Sequence, residues 1–476
     1  MLTFEKIGLD YIDIIVMVVV ALCSFLLTKW LYPKYIAFAK KRDWVGHDIH
    51  KKDRPEVAES GGIPFLIGII PPLISAMILF PEITDEVIVF LVTILLSGLI
   101  GFIDDRIVLS SLKKIVIMII IGLPIFILNW FDYIHIKDPF LPILGQLRLT
   151  IIYPFVIPLI IAIMTNMVNM LEGYNGEGSG TSLIAVIFLL VCAVISESAQ
   201  GLIYSIAIIG PLVAFFLFNK YPAKVFPGDV GTLALGAALG CIGVFGSLEV
   251  AMFCVVLVHV FNGFYVIASL KGLKERHTIT TTDIQMTEDD IIKPSTGKED
   301  HLTLPRLIVA EKPLNEPQLV RNFWALSYIG GLFALVAEVI KLNTRGQIDL
   351  IWTAVLVLII TCGSIPILFK FKAIRGIVYF MLALLCIGVI FLFVIDRLVV
   401  NNPLNWLITG ILAGLGFVYW YYLTIKYFWY KMSKVSGIDY EIKLIPFLRD
   451  TVNDILKSFL GRIFGNDDVQ AEADSD

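Results

Sequence analysis

"VIVFLVTILLSGLIGFIDDRIVLSSLKKIVIMIIIGLPIFIL" occupies residues 87–128. Its two ends are apolar over lengths that approach a bilayer's hydrocarbon core of about 30 Å. Its middle, residues 101–114, carries Asp104, Asp105, Arg106, Lys113 and Lys114. Such a pattern reads as two membrane helices joined by a short polar loop. The joint poses an electrostatic problem. A carboxylate at mid-membrane costs about 2.5–3.5 kcal/mol, and adjacent carboxylates repel unless a cation stands between them. Asp104 and Asp105 therefore belong at a helix end, with Lys114, ten residues beyond Asp104, as a compensating charge.

The rest of the chain follows the same pattern. Of 476 residues, 58% are hydrophobic and 16% charged, and the mean hydropathy is +0.85. This composition fits an all-α polytopic membrane protein and not a soluble domain. The net charge of −4 says little, because charge in such proteins is read loop by loop; nothing in it suggests a nucleic-acid partner. Cys23, Cys192, Cys241, Cys254, Cys362 and Cys386 all lie in apolar runs without zinc-ligand or disulfide spacing, and read as packing residues. Thirteen spans are expected, over about 12–31, 63–80, 87–102, 115–128, 151–164, 182–195, 202–218, 233–245, 250–270, 323–340, 350–369, 377–395 and 406–427. The first lacks a cleavage site after it and reads as a retained helix.

Charge alternates between the connections. Residues 33–62, 103–114, 165–181, 219–232, 271–322 and 370–376, with the C-terminal segment, hold most of the Lys and Arg. The short connections at 81–86, 196–200 and 246–249 hold none. The positive-inside rule places the basic set, and the C-terminus, in the cytoplasm and the N-terminus outside. Residues 131–150, with alternating polarity, Pro and Gly, read as a small extracytoplasmic hairpin. Residues 440–465 carry apolar positions at helical spacing; an interfacial amphipathic helix and a helix packed on its own protein are both open readings. The acidic segment 466–476 reads as disordered. The expected organisation is a core of 1–345 with the loop 271–322, extra helices over 346–430, an interfacial region over 431–465, and the tail.

The chemistry-bearing residues gather on the basic side. Each motif alone has a bland explanation: asparagines at a helix end are caps, "FPGD" is a turn, and a histidine in a polar loop is solvated. Together they are less bland. Separate loops bring acids (Asp104, Asp105, Asp229) and carboxamides (Asn166, Asn169, Asn175) to one face. Oxygen ligands of this kind suit Mg²⁺, which completes its shell with water and phosphate, with Mn²⁺ as the alternative ion. Lys114, His301 and Arg306 could hold phosphate oxygens. The combination points to phosphoryl chemistry between a charged soluble substrate and a lipid.

"GFIDD…LKK", "TNMVNMLEGYNG", "VFPGD" and "HLTLPRL" resemble the motifs of the polyprenyl-phosphate N-acetylhexosamine-1-phosphate transferases, in the same order and on the same side. The similarity spans about residues 45–310 and is nearest the archaeal and eukaryotic branch that makes dolichyl-diphosphate-GlcNAc. The resemblance implies attack by a polyprenyl or dolichyl phosphate on the β-phosphorus of a UDP-HexNAc, most simply UDP-GlcNAc, with UMP leaving. It implies catalytic roles for Asp104, Asp105 and Lys114, and Mg²⁺ ligation by Asn169 and Asp229. It implies a uracil pocket of Ile49 (through its backbone), Gly173, Asn175 and Phe226, and sugar and diphosphate contacts from His301 and Arg306. It also implies an integral protein of the plasma membrane in a prokaryote, or of the endoplasmic reticulum in a eukaryote, working on lipid substrates and compatible with a homodimer. Two departures stand out. Val108 replaces the polar residue that often follows the acidic pair, and residues 301–303 lack the basic cluster of the eukaryotic branch. Three spans beyond the family's ten-helix core carry no implied role. An ion- or proton-coupled transporter is the competing reading. Transporters place acidic sites near mid-membrane, whereas these motifs fall at span ends. A membrane scaffold would leave the acidic pair and "FPGD" unexplained.

Overall fold

The structure, a computed structural model, describes residues 10–147, 149–270, 281–297, 300–399 and 405–436. In chain order the helices are α1 (Tyr11–Lys41), α2 (Gly62–Leu79), α3 (Thr84–Asp104), α4 (Ser111–Trp130), α5 (Tyr153–Leu171), α6 (Glu177–Ile195), α7 (Ala199–Asn219), α8 (Gly228–Phe245), α9 (Glu249–Val255), α10 (Leu257–Ser269), α11 (Leu304–Glu311), α12 (Glu316–Thr344), α13 (Leu350–Cys362), α14 (Ile365–Lys370), α15 (Arg375–Val399) and α16 (Asn405–Ser436). Seven short strands lie between them: β1 (Val45–His47), β2 (Glu56–Ala58), β3 (Phe140–Leu141), β4 (Gly145–Gln146), β5 (Ile284–Met286), β6 (Ile291–Pro294) and β7 (Leu314–Asn315). The protein is thus the all-α polytopic membrane protein its hydropathy predicts.

Among the described residues eleven helical runs are long and apolar enough to span a membrane, and the pair α9–α10 makes a twelfth. These coincide with twelve of the expected spans. The thirteenth, 406–427, falls within α16, whose side chains are described only in part. The expected amphipathic helix and acidic tail lie outside the described residues.

Helix ends follow local chemistry. The Asp10 side chain accepts from the backbone of Ile12 and Asp13 to cap α1, and Asn315 forms a capping box with Gln318 to start α12. That box, with Pro317 in the first turn, begins α12 at Glu316, seven residues ahead of the expected 323. The expected single span 250–270 is instead two helices bent by 66° at Val256. No Pro or Gly marks this break. The halves share α12 but otherwise pack on different partners, α9 on α6 and α8 and α10 on α5 and α16, so tertiary packing decides it. The expected hairpin within 131–150 exists as the antiparallel pair β3–β4. The loop 271–322 is not structureless where described: β5, β6 and β7 form one antiparallel sheet.

α8, rich in Gly and Ala, is buried along nearly its whole length. It packs on α3 and α5, which brings three helix ends together. The approach to α3 is close: a Cβ on Gly101 would lie 2.3 Å from the Asp229 carbonyl oxygen. The first loop joins from the side. β1 pairs with β2, and Ala58 bridges to Val225 just ahead of α8.

Candidate active site

Four chain segments meet at these helix ends. Asp104 is the last residue of α3, and its Oδ1 accepts from the backbone N–H of Leu109 at 2.6 Å, closing the turn toward α4. That turn places Lys114 in the first turn of α4. The Lys114 Nζ then lies 2.7 Å from Asp104 Oδ2 and 3.2 Å from Asp229 Oδ2. Asp229 sits in the first turn of α8. Asn169, on the last turn of α5, donates to Asp229 Oδ2 at 3.4 Å and accepts from Thr232 Oγ1 at 2.8 Å. A helix start, two helix ends and a caged ammonium thus converge, and the predicted residues Asp104, Lys114, Asn169 and Asp229 are in direct contact.

Asp105 has different work. Its Oδ1 accepts the Asp229 backbone N–H at 2.7 Å, and its Oδ2 accepts the Ser60 hydroxyl at 2.7 Å. It joins α3, α8 and the first loop. Gly228 makes this fit possible: its φ is +64°, and a Cβ there would fall 2.4 Å from Asp105 Oδ2. Burial raises the Asp105 pKa, although the Ser60 and Asp229 hydrogen bonds oppose that. Arg106 donates to Ser60 at 3.3 Å and stacks over Trp44 and Phe102. Ser60, Arg106 and Thr232 were not legible as site residues. Only the spacing of Thr232, three residues after Asp229 on one helix face, offered a signal. Val108 is 74% exposed and makes no bridge to this group.

Two carboxylates, of Asp104 and Asp229, thus flank one ammonium, while Asp105 bonds the Asp229 N–H and Ser60, with Arg106 beside it. Asp104 Oδ2 and Asp229 Oδ2 share Lys114, and Asn169 contributes a carboxamide. This oxygen-rich, net-negative donor set fits a hard divalent cation, with Asp229 and Asn169 able to hold it.

The predicted nucleotide residues lie on the first loop, just ahead of α8 and on the connection from α5 to α6, and an Asp48–Asn175 hydrogen bond joins the first of these to the last. Phe226 is fixed beside the first loop, where its N–H donates to Ala58 at 2.7 Å and its carbonyl accepts from Gly61 at 2.8 Å. Ile49 is 52% exposed on that loop. Gly173 donates its N–H to Glu177 Oε2 at 3.0 Å. Asn175 is buried; its Nδ2 donates to Asp48 Oδ2 at 2.8 Å and to Glu316 Oε1 at 2.6 Å. Burial raises the Asp48 pKa, but hydrogen bonds from Lys51 and Asn175 outweigh it, so the carboxyl is held below its ordinary value. Ligand atoms of Asp48, His50 and Glu316 lie within 4.8 Å of one another. Here, though, the Asn175 amide and the Lys51 ammonium already supply the carboxylates' positive partners. The His50 ring stacks on Tyr174 at 4.4 Å. Glu172, half-buried and accepting from Gly178 at 2.8 Å, is pushed up to about 8 by desolvation, with the Glu316 charge adding to it.

His301 and Arg306 form a third group. Arg306 is 2% exposed. Its guanidinium donates to the carbonyls of Ser295, Gly297, Asp300 and His301 at 2.7–3.1 Å. The fork is thereby committed to the loop backbone, and Arg306 shapes the segment that presents His301. His301 Nδ1 is 3.1 Å from Thr281 Oγ1 and its Nε2 is 3.8 Å from Asp283. Burial lowers its pKa, partly countered by Asp283. Three hydrogen bonds tie this region to the others. Asn262 accepts from Leu304 N and donates to the Met170 carbonyl, and the Lys52 N–H donates to Asp290.

The sequence pattern of glycosyl transferase family 4 matches residues 87–247. The chain is 31% identical to a provisionally named glycosyltransferase of Methanocaldococcus jannaschii, over 67% of this chain and 93% of that protein. It is 34% identical to a protein of Sulfolobus acidocaldarius provisionally named UDP-N-acetylglucosamine–dolichyl-phosphate N-acetylglucosaminephosphotransferase, over 53% of this chain and 75% of that one. It is 30% identical to the phospho-N-acetylmuramoyl-pentapeptide-transferase of Staphylococcus saprophyticus, over 67% and 97%.

Proposed function

The chain belongs to glycosyl transferase family 4, among the polyprenyl-phosphate N-acetylhexosamine-1-phosphate transferases, and on that premise we propose that it transfers GlcNAc-1-phosphate from UDP-GlcNAc to a polyprenyl or dolichyl phosphate. The observation that carries this reading is Lys114, held between Asp104 and Asp229 where α3, α4 and α8 meet. Membership of this family decides against the ion- or proton-coupled transporter.

In the reaction an oxygen of the lipid phosphate attacks the β-phosphorus of the UDP-sugar. A new P–O bond forms, the bond from that phosphorus to the bridging oxygen breaks, and UMP leaves with the bridging oxygen. Such chemistry depends on positioning and on neutralising charge that builds on the phosphoryl group. Lys114 supplies a fixed cation at the junction. Asp104 orients Lys114 and is the carboxylate nearest to it, which makes it the better placed of the acidic pair to meet an incoming phosphate. Asp105, with both oxygens bonded, holds α8 and the first loop in register. Mg²⁺ held by Asp229 and Asn169 would neutralise the diphosphate of the UDP-sugar. Ile49, Gly173, Asn175 and Phe226 form the uracil pocket, with Phe226 stacking on the ring, and His301 faces the sugar and diphosphate. The basic loops put this whole face on the cytoplasmic side, at the plasma membrane in a prokaryote.

The test is UMP release by the purified chain with UDP-GlcNAc, polyprenyl phosphate and Mg²⁺. Release should need all three and be abolished by EDTA. No release with any UDP-HexNAc would refute the transferase reading, and undiminished release in EDTA would refute the metal's part in it.

A further inference from the structure

Asn175 is gripped by two carboxylates from distant parts of the chain. Asp48 belongs to the first loop, Asn175 to the connection between α5 and α6, and Glu316 to the first residue of α12. The Asn175 Nδ2 donates to Asp48 Oδ2 at 2.8 Å and to Glu316 Oε1 at 2.6 Å, and the Asn175 backbone N–H donates to that same Glu316 oxygen at 2.7 Å. Glu316 Oε1 also receives the Asn175 backbone N–H and Asp48 Oδ2 the Lys51 ammonium, so both oxygens act as acceptors, and a carboxamide nitrogen has two N–H donors. Both donors are thus committed. The amide orientation is not a matter of choice either, because turning it over would set its oxygen against two carboxylates.

The consequence falls on the other end of the side chain. Asn175 is 3% exposed, and its Oδ1 is buried without a hydrogen-bond partner among the described residues. A buried acceptor left alone is unfavourable and is expected where a ligand brings the donor. The uracil ring offers such a donor, the imide N3–H. Cytosine carries a lone pair at the corresponding nitrogen, which a fixed acceptor repels. A free carboxamide could turn to offer its NH₂ instead; a clamped one cannot.

We propose that Asp48 and Glu316 are positioning residues that lock Asn175 with its oxygen as a fixed acceptor for the uracil imide, and so set a preference for uridine over cytidine diphosphate sugars. This rests on the nucleotide-pocket reading above. Without the clamp the amide is no longer held as an acceptor, so UDP loses its fixed partner while CDP binding changes little. It also links the first loop to α12, so the pocket takes its final shape only when both are in place.

The experiment measures UDP and CDP binding to the full chain in detergent by calorimetry, for wild type, Glu316→Met, Asp48→Ala and Glu316→Gln. Wild type should favour UDP by about a hundredfold, the scale of one satisfied bond against one repelled pair. In Glu316→Met and Asp48→Ala the preference should shrink to about tenfold or less, mainly through weaker UDP binding. Glu316→Gln retains an acceptor oxygen and should recover most of it. With UDP-sugar as substrate, KM should rise in the first two variants while kcat changes little. Equal weakening of UDP and CDP, or no change in either, would overturn the clamp. If Glu316→Met does not fold, Asp48→Ala, on the first loop, decides the question alone. Wild type that binds UDP no better than CDP would instead overturn the pocket reading together with the clamp.

Discussion

Replacing Lys114 by Met isolates the electrostatics of the junction. The ammonium lies 2.7 Å from Asp104 and 3.2 Å from Asp229. At an effective dielectric near 20 the gross attractions are about 6 and about 5 kcal/mol. Desolvation of the charges offsets much of that, and removing one partner of a buried pair costs about 3–5 kcal/mol. Lys114 is 18% exposed and Asp229 29%, against 5% for Asp104, so the lower end applies, about 3 kcal/mol. In detergent the melting temperature should fall by about 3 °C. The cost arises from repulsion among the stranded carboxylates, so Asp104→Asn added to Lys114→Met should recover at least half of the lost stability. Transfer activity should stay abolished in both. A double-mutant cycle of melting temperatures, run beside the UMP-release assay, tests this. Lys114→Met melting with wild type, or a double variant no more stable than the single, would refute the account.

Gly101→Ala should abolish folding or activity, because its Cβ meets backbone of α8 that cannot yield, whereas Gly388→Ala, with no atom within 4 Å of the added Cβ, should be silent; size-exclusion profiles of the two compare them. Arg306→Lys keeps the charge but cannot reproduce the five bonds to loop carbonyls. UDP affinity should hold while transfer falls about tenfold or more, about the effect of losing one strong hydrogen bond at the loop; equal loss of both would contradict the separate role of that loop. Glu172, pushed up to about 8, is protonated in the folded protein where the unfolded chain is ionised. Stability is therefore full below the unfolded carboxyl value and falls as pH rises toward 8, by up to about 1.4 kcal/mol per unit. Melting temperatures from pH 5 to 9 should show this decline, and Glu172→Gln should make it shallower, since Glu177 and Glu316 are raised by burial as well.

The apolar runs by themselves determined the helices, because a bilayer demands about 20 apolar residues per crossing and satisfies backbone polar groups only within the helix. They also set the acids and carboxamides Asp104, Asp105, Asn166, Asn169, Asn175 and Asp229 at span ends on one face, and the motif resemblance picked out Asp104, Asp105, Lys114, Asn169 and Asp229. The sequence could not divide the labour of the acidic pair. Adjacent aspartates look alike in one dimension, yet Asp104 faces Lys114 while Asp105 is spent on the Asp229 N–H and the Ser60 hydroxyl. Nor could it find Ser60, Thr232 or Glu316, since a hydroxyl in a loop or a glutamate at a helix start has an ordinary local explanation and gains its meaning from a partner far along the chain. Arg306 shows the converse. Its motif suggested a ligand contact, whereas burial and the nearby carbonyls turned its guanidinium inward. The bend at Val256 had no local breaker to announce it and followed from the different partners of α9 and α10. Local pattern decides what is helical and where charge can sit, because those costs are paid residue by residue. Which charge meets which is decided by helix packing around α8, because those energies depend on distances that only the folded chain defines.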